Sequence, residues 1–184
     1  MIQQIEISKD LKLSPIKRED AEAIFDLVEK NRTYLKDWLP WLDFNTSVED
    51  SKAFVENSLN QAADNSAQVM IIRYRDSICG TIGFNSIDSL HRICEIGYWI
   101  DSDHQRLGII TKSTKALVDL AFSDLGMNKI CIPVAEQNAK SRAVPERLGF
   151  TIEGVARDAE WLYDHYVDHV LYALRKSQWR PTNP

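Results

Sequence analysis

Residues 95–114 read EIGYWIDSDHQRLGIITKST, and the fold follows from this stretch. Cys94, Ile96, Tyr98 and Ile100 alternate with Glu95, Gly97 and Trp99, the period-two pattern of a buried strand. A short polar loop follows and ends at Gly108. Thr114, Leu117, Val118, Ala121 and Leu125 then recur at helical spacing, and Gly126 is placed to stop the helix. A strand that feeds a helix through a glycine turn leaves unpaired backbone N–H groups at the helix N-terminus. Those donors, with the helix dipole, favour phosphate. An anion site is therefore expected over residues 105–111.

Working outward, residues 5–16 read as one extended segment ending near Pro15. Arg18, Glu19 and Asp20 open a helix whose buried face is Ala21, Ile24, Phe25 and Val28; acidic residues suit its positive end. An aromatic stretch, 34–42, is closed by Pro40. Ser47 then reads as an N-cap with acids in the first turn, before a helix striped by Val48, Val55, Leu59 and Ala62. Residues 67–74 and 78–84 read as a hairpin with the three-residue loop Arg75, Asp76 and Ser77; Gly80 and Gly83 mark close backbone contacts. After the central strand and helix come a strand over 129–136, a short helix over 138–148, and strands over 150–156 and 167–174. Pro133 cannot donate to a ladder, so it belongs at an edge or where a sheet opens. The element order is βααββ then βαβαββ: an α/β (α+β) chain with one mixed sheet and helices on both faces.

The chain has 184 residues, so a single domain over 1–184 is expected. Its 44% hydrophobic and 27% charged content is ordinary for a globular protein, and its net charge of −5 argues against a nucleic-acid partner. No apolar run reaches membrane-spanning length, and the opening MIQQIEISKD lacks a basic segment followed by an apolar one. No membrane partner and a cytoplasmic location are the expectation. Cys79, Cys94 and Cys131 all lie in apolar strand-like runs without a C-x-x-C, which argues against disulfides, zinc and a cysteine nucleophile. His165 and His169 share helical ligand spacing but lie on a predicted strand with no third ligand, so no metal site is assigned.

Two motifs carry a resemblance. Gln105-Arg106-Leu107-Gly108, between strand and helix, resembles the acyl-CoA pyrophosphate loop of the GCN5-related N-acetyltransferases (GNAT). Asn138-Ala139-Lys140-Ser141, running on to Arg147-Leu148-Gly149-Phe150, resembles the other half of that family's cofactor site. The RimL/RimJ-type branch, which modifies ribosomal-protein N-termini, is the most similar in pattern. The resemblance implies a GNAT-like, mostly antiparallel sheet whose two central strands splay, with the pantetheine arm of acetyl-CoA in the gap and Pro133 beside it. It implies cofactor contacts from Tyr98, Trp99 and Ile100 on the strand, from Gln105, Arg106, Leu107, Gly108, Ile109, Ile110 and Thr111 in the loop, and from Asn138 and Ser141. Lys112 and Lys115 are candidates to add charge. Ile110 departs from the Gly or Ala usual in the family, which implies a slightly wider loop. Asn138 is also a good helix N-cap in its own right. Pro145 has no N–H for the carbonyl of Ser141, so the turn around Ser141 should be distorted.

The implied activity is direct acetyl transfer from acetyl-CoA to an amine, with no metal. Ser141 returns a proton to the leaving sulfur, and Glu160 takes one from the amine. Glu95 is the alternative acceptor. Backbone donors near residues 98–100 face the developing oxyanion. Trp38, Trp41 and Trp161 are candidate walls of an acceptor groove. The expected acceptor is a protein N-terminus; a polyamine or aminoglycoside, or a non-catalytic acyl-CoA-binding role, are the alternatives. A homodimer is left open.

Overall fold

The computed structural model describes residues 2–180. Its sheet has eight strands in the order β1-β2-β3-β4-β5-β6-β8-β7: β1 (Ile5–Ser8), β2 (Leu11–Pro15), β3 (Gln68–Tyr74), β4 (Ser77–Asp88), β5 (Ile93–Ile100), β6 (Lys129–Ala135), β7 (Thr151–Leu162) and β8 (His165–Arg175). Among the described strands only β5 and β6 run parallel to each other. The helices are α1 (Ala21–Lys36), α2 (Val48–Ala63), α3 (Ile109–Ser123) and α4 (Ala139–Arg147). The expected mixed, mostly antiparallel sheet with helices on both faces is present.

Each face of the sheet has its own core. Ile82, Phe84, Cys94, Ile96 and Ile130 pack with Leu117, Val118 and Ala121 of α3 on one face. Ile71 packs with Ile24, Val28 and Leu35 of α1 and Val55 of α2 on the other, with Trp99 against them. The alternation expected in β5 is therefore what divides the two cores. Cross-strand contact is close at Gly80, where an added Cβ would stand 2.2 Å from the Trp99 carbonyl oxygen.

Three sequence expectations need correction. The segment 5–16 is two strands, not one, because the polar pair Lys9-Asp10 makes a turn that folds β1 back on β2. The β3–β4 loop has two residues rather than three. Arg75 and Asp76 both take positive φ, 49° and 64°, which suits the twist of a two-residue hairpin, and Tyr74 pairs directly with Ser77. The last two strands are longer than expected, so Glu160 and Trp161 lie within β7.

The decisive feature is the partnership of β5 and β6. It holds for three residue pairs, Ile93–Lys129, Cys94–Ile130 and Glu95–Cys131, and then stops. Backbone parity tells what faces the opening. Asp101 N bonds Cys79 O, so the odd residues of β5 face β4, and the amides of Ile96, Tyr98 and Ile100 face away from it, toward β6. Glu136 N bonds Asp168 O, so the even residues of β6 face β8, and Pro133 turns its missing donor toward β5. Pro133 sits where the sheet opens, and it leaves no orphaned N–H there.

Candidate active site

Two helix N-termini meet at the open end of this gap. α3 begins at Gly108, whose φ of 73° is left-handed, a conformation that costs glycine nothing and strains other residues. The first intrahelical bond runs from Lys112 N to Gly108 O at 3.0 Å, so the amides of Gly108, Ile109, Ile110 and Thr111 have no partner within the helix. The Ile109 side chain is buried and that of Ile110 packs on the same core. The bulk of Ile110 therefore points inward rather than into the loop. Arg106 and Leu107 are exposed, and Arg106 also takes a positive φ of 63°. Lys112 lies beside Gly108, with Cε 3.9 Å from a Cβ built there. Lys115 is instead paired with Asp119 at 2.8 Å and lies 5.6 Å from the Trp179 ring.

α4 supplies the second terminus. Asn138 Oδ1 accepts from Ser141 N at 3.1 Å, so its N-cap role is present. Lys140 Nζ donates to Gln105 Oε1 at 3.1 Å and joins the two motifs across the gap. α4 runs through Pro145, which leaves the Ser141 carbonyl without its helical partner. Tyr98 Oη fills that vacancy, donating to Ser141 O at 3.0 Å, and Ser141 Oγ donates to Tyr98 Oη at 3.4 Å. The expected distortion at Ser141 is thus a substituted bond, and it places two hydroxyls together. Burial pushes the Tyr98 phenol up to about 12, so it stays protonated at neutral pH.

The loop between β5 and α3 is locked from beneath by residues that sequence reading missed. Asp101 is 1% exposed. Its Oδ2 takes Lys30 Nζ at 3.0 Å and lies 2.8 Å from His104 Nδ1, and its Oδ1 takes Asn31 Nδ2 at 2.9 Å. Burial alone would raise its carboxyl; the hydrogen bonds from Lys30, Asn31 and His104 outweigh it and hold it down at about 2. Asn31 Oδ1 accepts from Ser102 N at 2.9 Å, and Tyr34 Oη donates to the Ile100 carbonyl. No local motif signals this set, because Lys30, Asn31 and Tyr34 precede Asp101 by some seventy residues.

On the far side of the sheet, Glu160 is partly covered, and its Oε2 lies 3.4 Å from His169 Nε2. His165 stands apart at the hairpin tip beside Asp164. Trp161 is half exposed and meets Tyr166 edge-to-face at 4.8 Å. Trp38 and Trp41 are half-buried, and Trp41 packs on the α1–α2 core. The hairpin tip docks there: Tyr163 Oη donates to Leu39 O at 2.5 Å, which brings the two aromatic segments to one region. Glu95, on β5, accepts from Asn85 Nδ2 at 3.3 Å. Burial pushes the Cys79 and Cys94 thiols up to about 12 and raises Cys131 as well, which disfavours a thiolate at all three. No helix of the described residues is long and apolar enough to cross a membrane, and no group of three or more described His, Cys, Asp or Glu residues could hold a metal ion.

Comparison with known proteins agrees with this geometry. The family described as Acetyltransferase (GNAT) domain matches residues 10–151. A putative ribosomal N-acetyltransferase, YdaF, of Bacillus subtilis (strain 168) is 33% identical over 174 residues, covering 94% of this chain and 95% of the relative. The ribosomal-protein-serine acetyltransferase of Escherichia coli (strain K12) is 33% identical over 173 residues, covering 94% and 97%. Among solved structures, RimL, a ribosomal L7/L12 alpha-N-protein acetyltransferase in complex with coenzyme A, superposes with a TM-score of 0.91 at 29% identity, covering 94% of this chain and 98% of that one. The splayed β5–β6 pair, the two facing helix N-termini and these matches lead to one conclusion: the chain belongs to the GNAT acetyltransferase family and is an acetyl-CoA-dependent N-acetyltransferase.

Proposed function

We propose that this chain works as one acetyltransferase domain that acetylates the N-terminal α-amino group of a protein, of the ribosomal kind, in the cytoplasm. The observation that carries the acceptor is similarity along nearly the whole length to a ribosomal-protein-serine acetyltransferase. The gap fits acetyl-CoA because the amides of Tyr98 and Ile100, beyond the last ladder bond at Ile96, face it without a strand partner. In this reading those amides receive the pantetheine arm with Trp99 in the same strand. Gln105, Arg106, Leu107 and the amides of Gly108, Ile109, Ile110 and Thr111 cradle the pyrophosphate, with Lys112 and Lys140 adding charge. Asn138 keeps its cap and offers its amide nitrogen.

Acetyl-CoA supplies an activated acetyl group. The protein's share is positioning, charge stabilisation and proton movement. The β5 amides face charge developing on the acetyl oxygen. Ser141 gives the departing sulfur a proton, and Tyr98, held protonated by burial, stands behind it in hydrogen-bond reach. Glu160 removes a proton from the incoming ammonium; general-base help of this kind is typically worth about 10²–10⁴ in rate. Trp38, Trp41 and Trp161 bound the acceptor groove.

The test is an acceptor panel. N-terminal peptides should turn over faster than spermidine or an aminoglycoside; faster turnover of either small amine than of every peptide would overturn the assignment. Acetyl-CoA hydrolysis and transfer absent with every amine would leave a binding role instead. Within the panel, Glu160→Gln should lower kcat at least about tenfold with acetyl-CoA affinity nearly intact. Part of that loss should return at higher pH, where the amine arrives neutral. Wild-type kcat in Glu160→Gln at pH 7 would make Glu160 a surface acid.

A further inference from the structure

We propose that His169 is the positioning partner of Glu160 and the outlet for the proton that Glu160 takes from the acceptor. The inference rests on the reading of Glu160 as the amine base, and it gives a function to a histidine that fits no metal site.

Strand register brings the pair together. His169 lies opposite Ala135 on β6 and Ala156 on β7. Its neighbour Val170 faces the α3-side core, so His169 stands on the other face of the sheet. That face is open here, since Leu171, two residues on, is 38% exposed. Ala135 and Pro133, on the same face of β6, border the β5–β6 gap. His169 therefore stands one strand from the gap, and Glu160, on the edge strand β7, stands one strand further.

A bulge in β7 makes the contact. Between Ala156 and Glu160 the register shifts, so that Glu160 lies opposite Val167 rather than His165. Residues two apart on β8 share a face, and the shift puts Glu160 diagonal to His169. Asp168 holds the bulge: its Oδ1 accepts from Asp158 N at 2.9 Å and its Oδ2 is paired with Arg157. Asp158 takes a left-handed φ of 48° there. The other charges nearby answer one another, Arg157 with Asp168 and with Glu136. On β6 and β7 the residues opposite His169 are the neutral Ala135 and Ala156. This leaves Glu160 as the charge that faces His169, at 3.4 Å, with side-chain exposures of 30% and 19%.

The proton path balances. The acceptor ammonium gives one proton to the Glu160 carboxylate and becomes a neutral nucleophile. The carboxylic acid passes that proton to the imidazole of His169, and the imidazolium releases it to water, which restores both groups. Histidine suits the step because imidazole gains and loses a proton in the range of roughly pH 5 to 8. Without His169 the carboxylate would also be free to turn away from the amine.

The test uses His169→Gln, His169→Ala, Glu160→Gln and the double variant Glu160→Gln/His169→Gln, each first shown to keep its melting temperature and acetyl-CoA affinity. His169→Gln should lower kcat by about five- to twentyfold with the KM for acetyl-CoA unchanged. Added imidazole should restore part of the His169→Ala activity, which a purely structural role would not allow. The double variant should be no slower than Glu160→Gln, because the two act as a unit. Wild-type kcat in His169→Ala, or a His169→Gln loss that persists in full in the Glu160→Gln background, would overturn the relay. Wild-type kcat in Glu160→Gln would instead remove the base assignment itself.

Discussion

Gly108 and Ser141 show how much single residues decide here. Gly108 combines a left-handed φ with a missing Cβ that would meet only Lys112 Cε, at an ordinary 3.9 Å. Gly108→Val should therefore strain the turn as well as crowd the approach of a pyrophosphate. Its acetyl-CoA affinity should fall by about tenfold or more while the fold persists; unchanged affinity in calorimetry would move the phosphate site elsewhere. Ser141 illustrates what a sequence can and cannot disclose. The proline at 145 announces that the Ser141 carbonyl loses its helical partner, because the lost bond is local. The partner that replaces it, Tyr98, lies forty-three residues earlier, and only the folded sheet shows it. The same holds for His169, whose contact with Glu160 depends on a β-bulge that carries neither Gly nor Pro to mark it. Burial of Cys79 and Cys94, and the raised thiol of the half-buried Cys131, add a further expectation: enzyme incubated with acetyl-CoA alone should keep its intact mass. A cysteine adduct that vanished on adding amine would replace direct transfer by a two-step route.

The element that the account most depends on is the loop from β5 into α3, and Asp101 is its anchor. Asp101→Asn keeps shape but gives up the charge that Lys30 answers. Altering a buried carboxylate with several hydrogen-bond partners costs roughly 1–3 kcal/mol, at the lower end because Lys30 is half exposed. The Asp101 carboxyl is held down at about 2 in the folded protein, below the ordinary value near 4 of an unfolded chain. Its contribution is therefore present above about pH 4 and is lost as pH falls toward 2. Chemical denaturation of wild type and Asp101→Asn should differ at pH 7 and converge near pH 2; curves that stay parallel across that range would show that the carboxyl charge is not what locks the loop. Elements were the most legible level of this chain. Alternation and helical spacing placed β5 and α3, and the motif at 105–108 placed the turn. Periodicity missed the short polar turn Lys9-Asp10 and gave the Arg75-Asp76 hairpin loop one residue too many, because no glycine or proline punctuates either reversal.

At the scale of the molecule, the net charge of −5 bears on which acceptors arrive quickly. An acidic N-terminal peptide should be repelled at long range, and salt screens that repulsion. Raising ionic strength should therefore increase kcat/KM for an acidic peptide by about two- to threefold and lower it for a basic one. A fall with salt for the acidic peptide would show that local basic residues steer it. The whole-chain fold was legible because two motifs in order implied a splayed central pair, and the three-residue β5–β6 ladder is that splay. The acceptor was not legible in the same way, since the groove is assembled from α1, the Pro40 turn and the β7–β8 hairpin, which are distant in sequence and joined by contacts such as Tyr163 to Leu39. The most direct measurement of the central claim uses one peptide that carries both a free N-terminus and an internal lysine. An α-amine has a pKa near 8 and a lysine about 10.4, so far more of the former is neutral at pH 7.5. Tandem mass spectrometry after reaction with acetyl-CoA should find the acetyl group on the α-amine. Acetyl on the lysine, or an untouched peptide in a reaction that acetylates spermidine, would contradict the account.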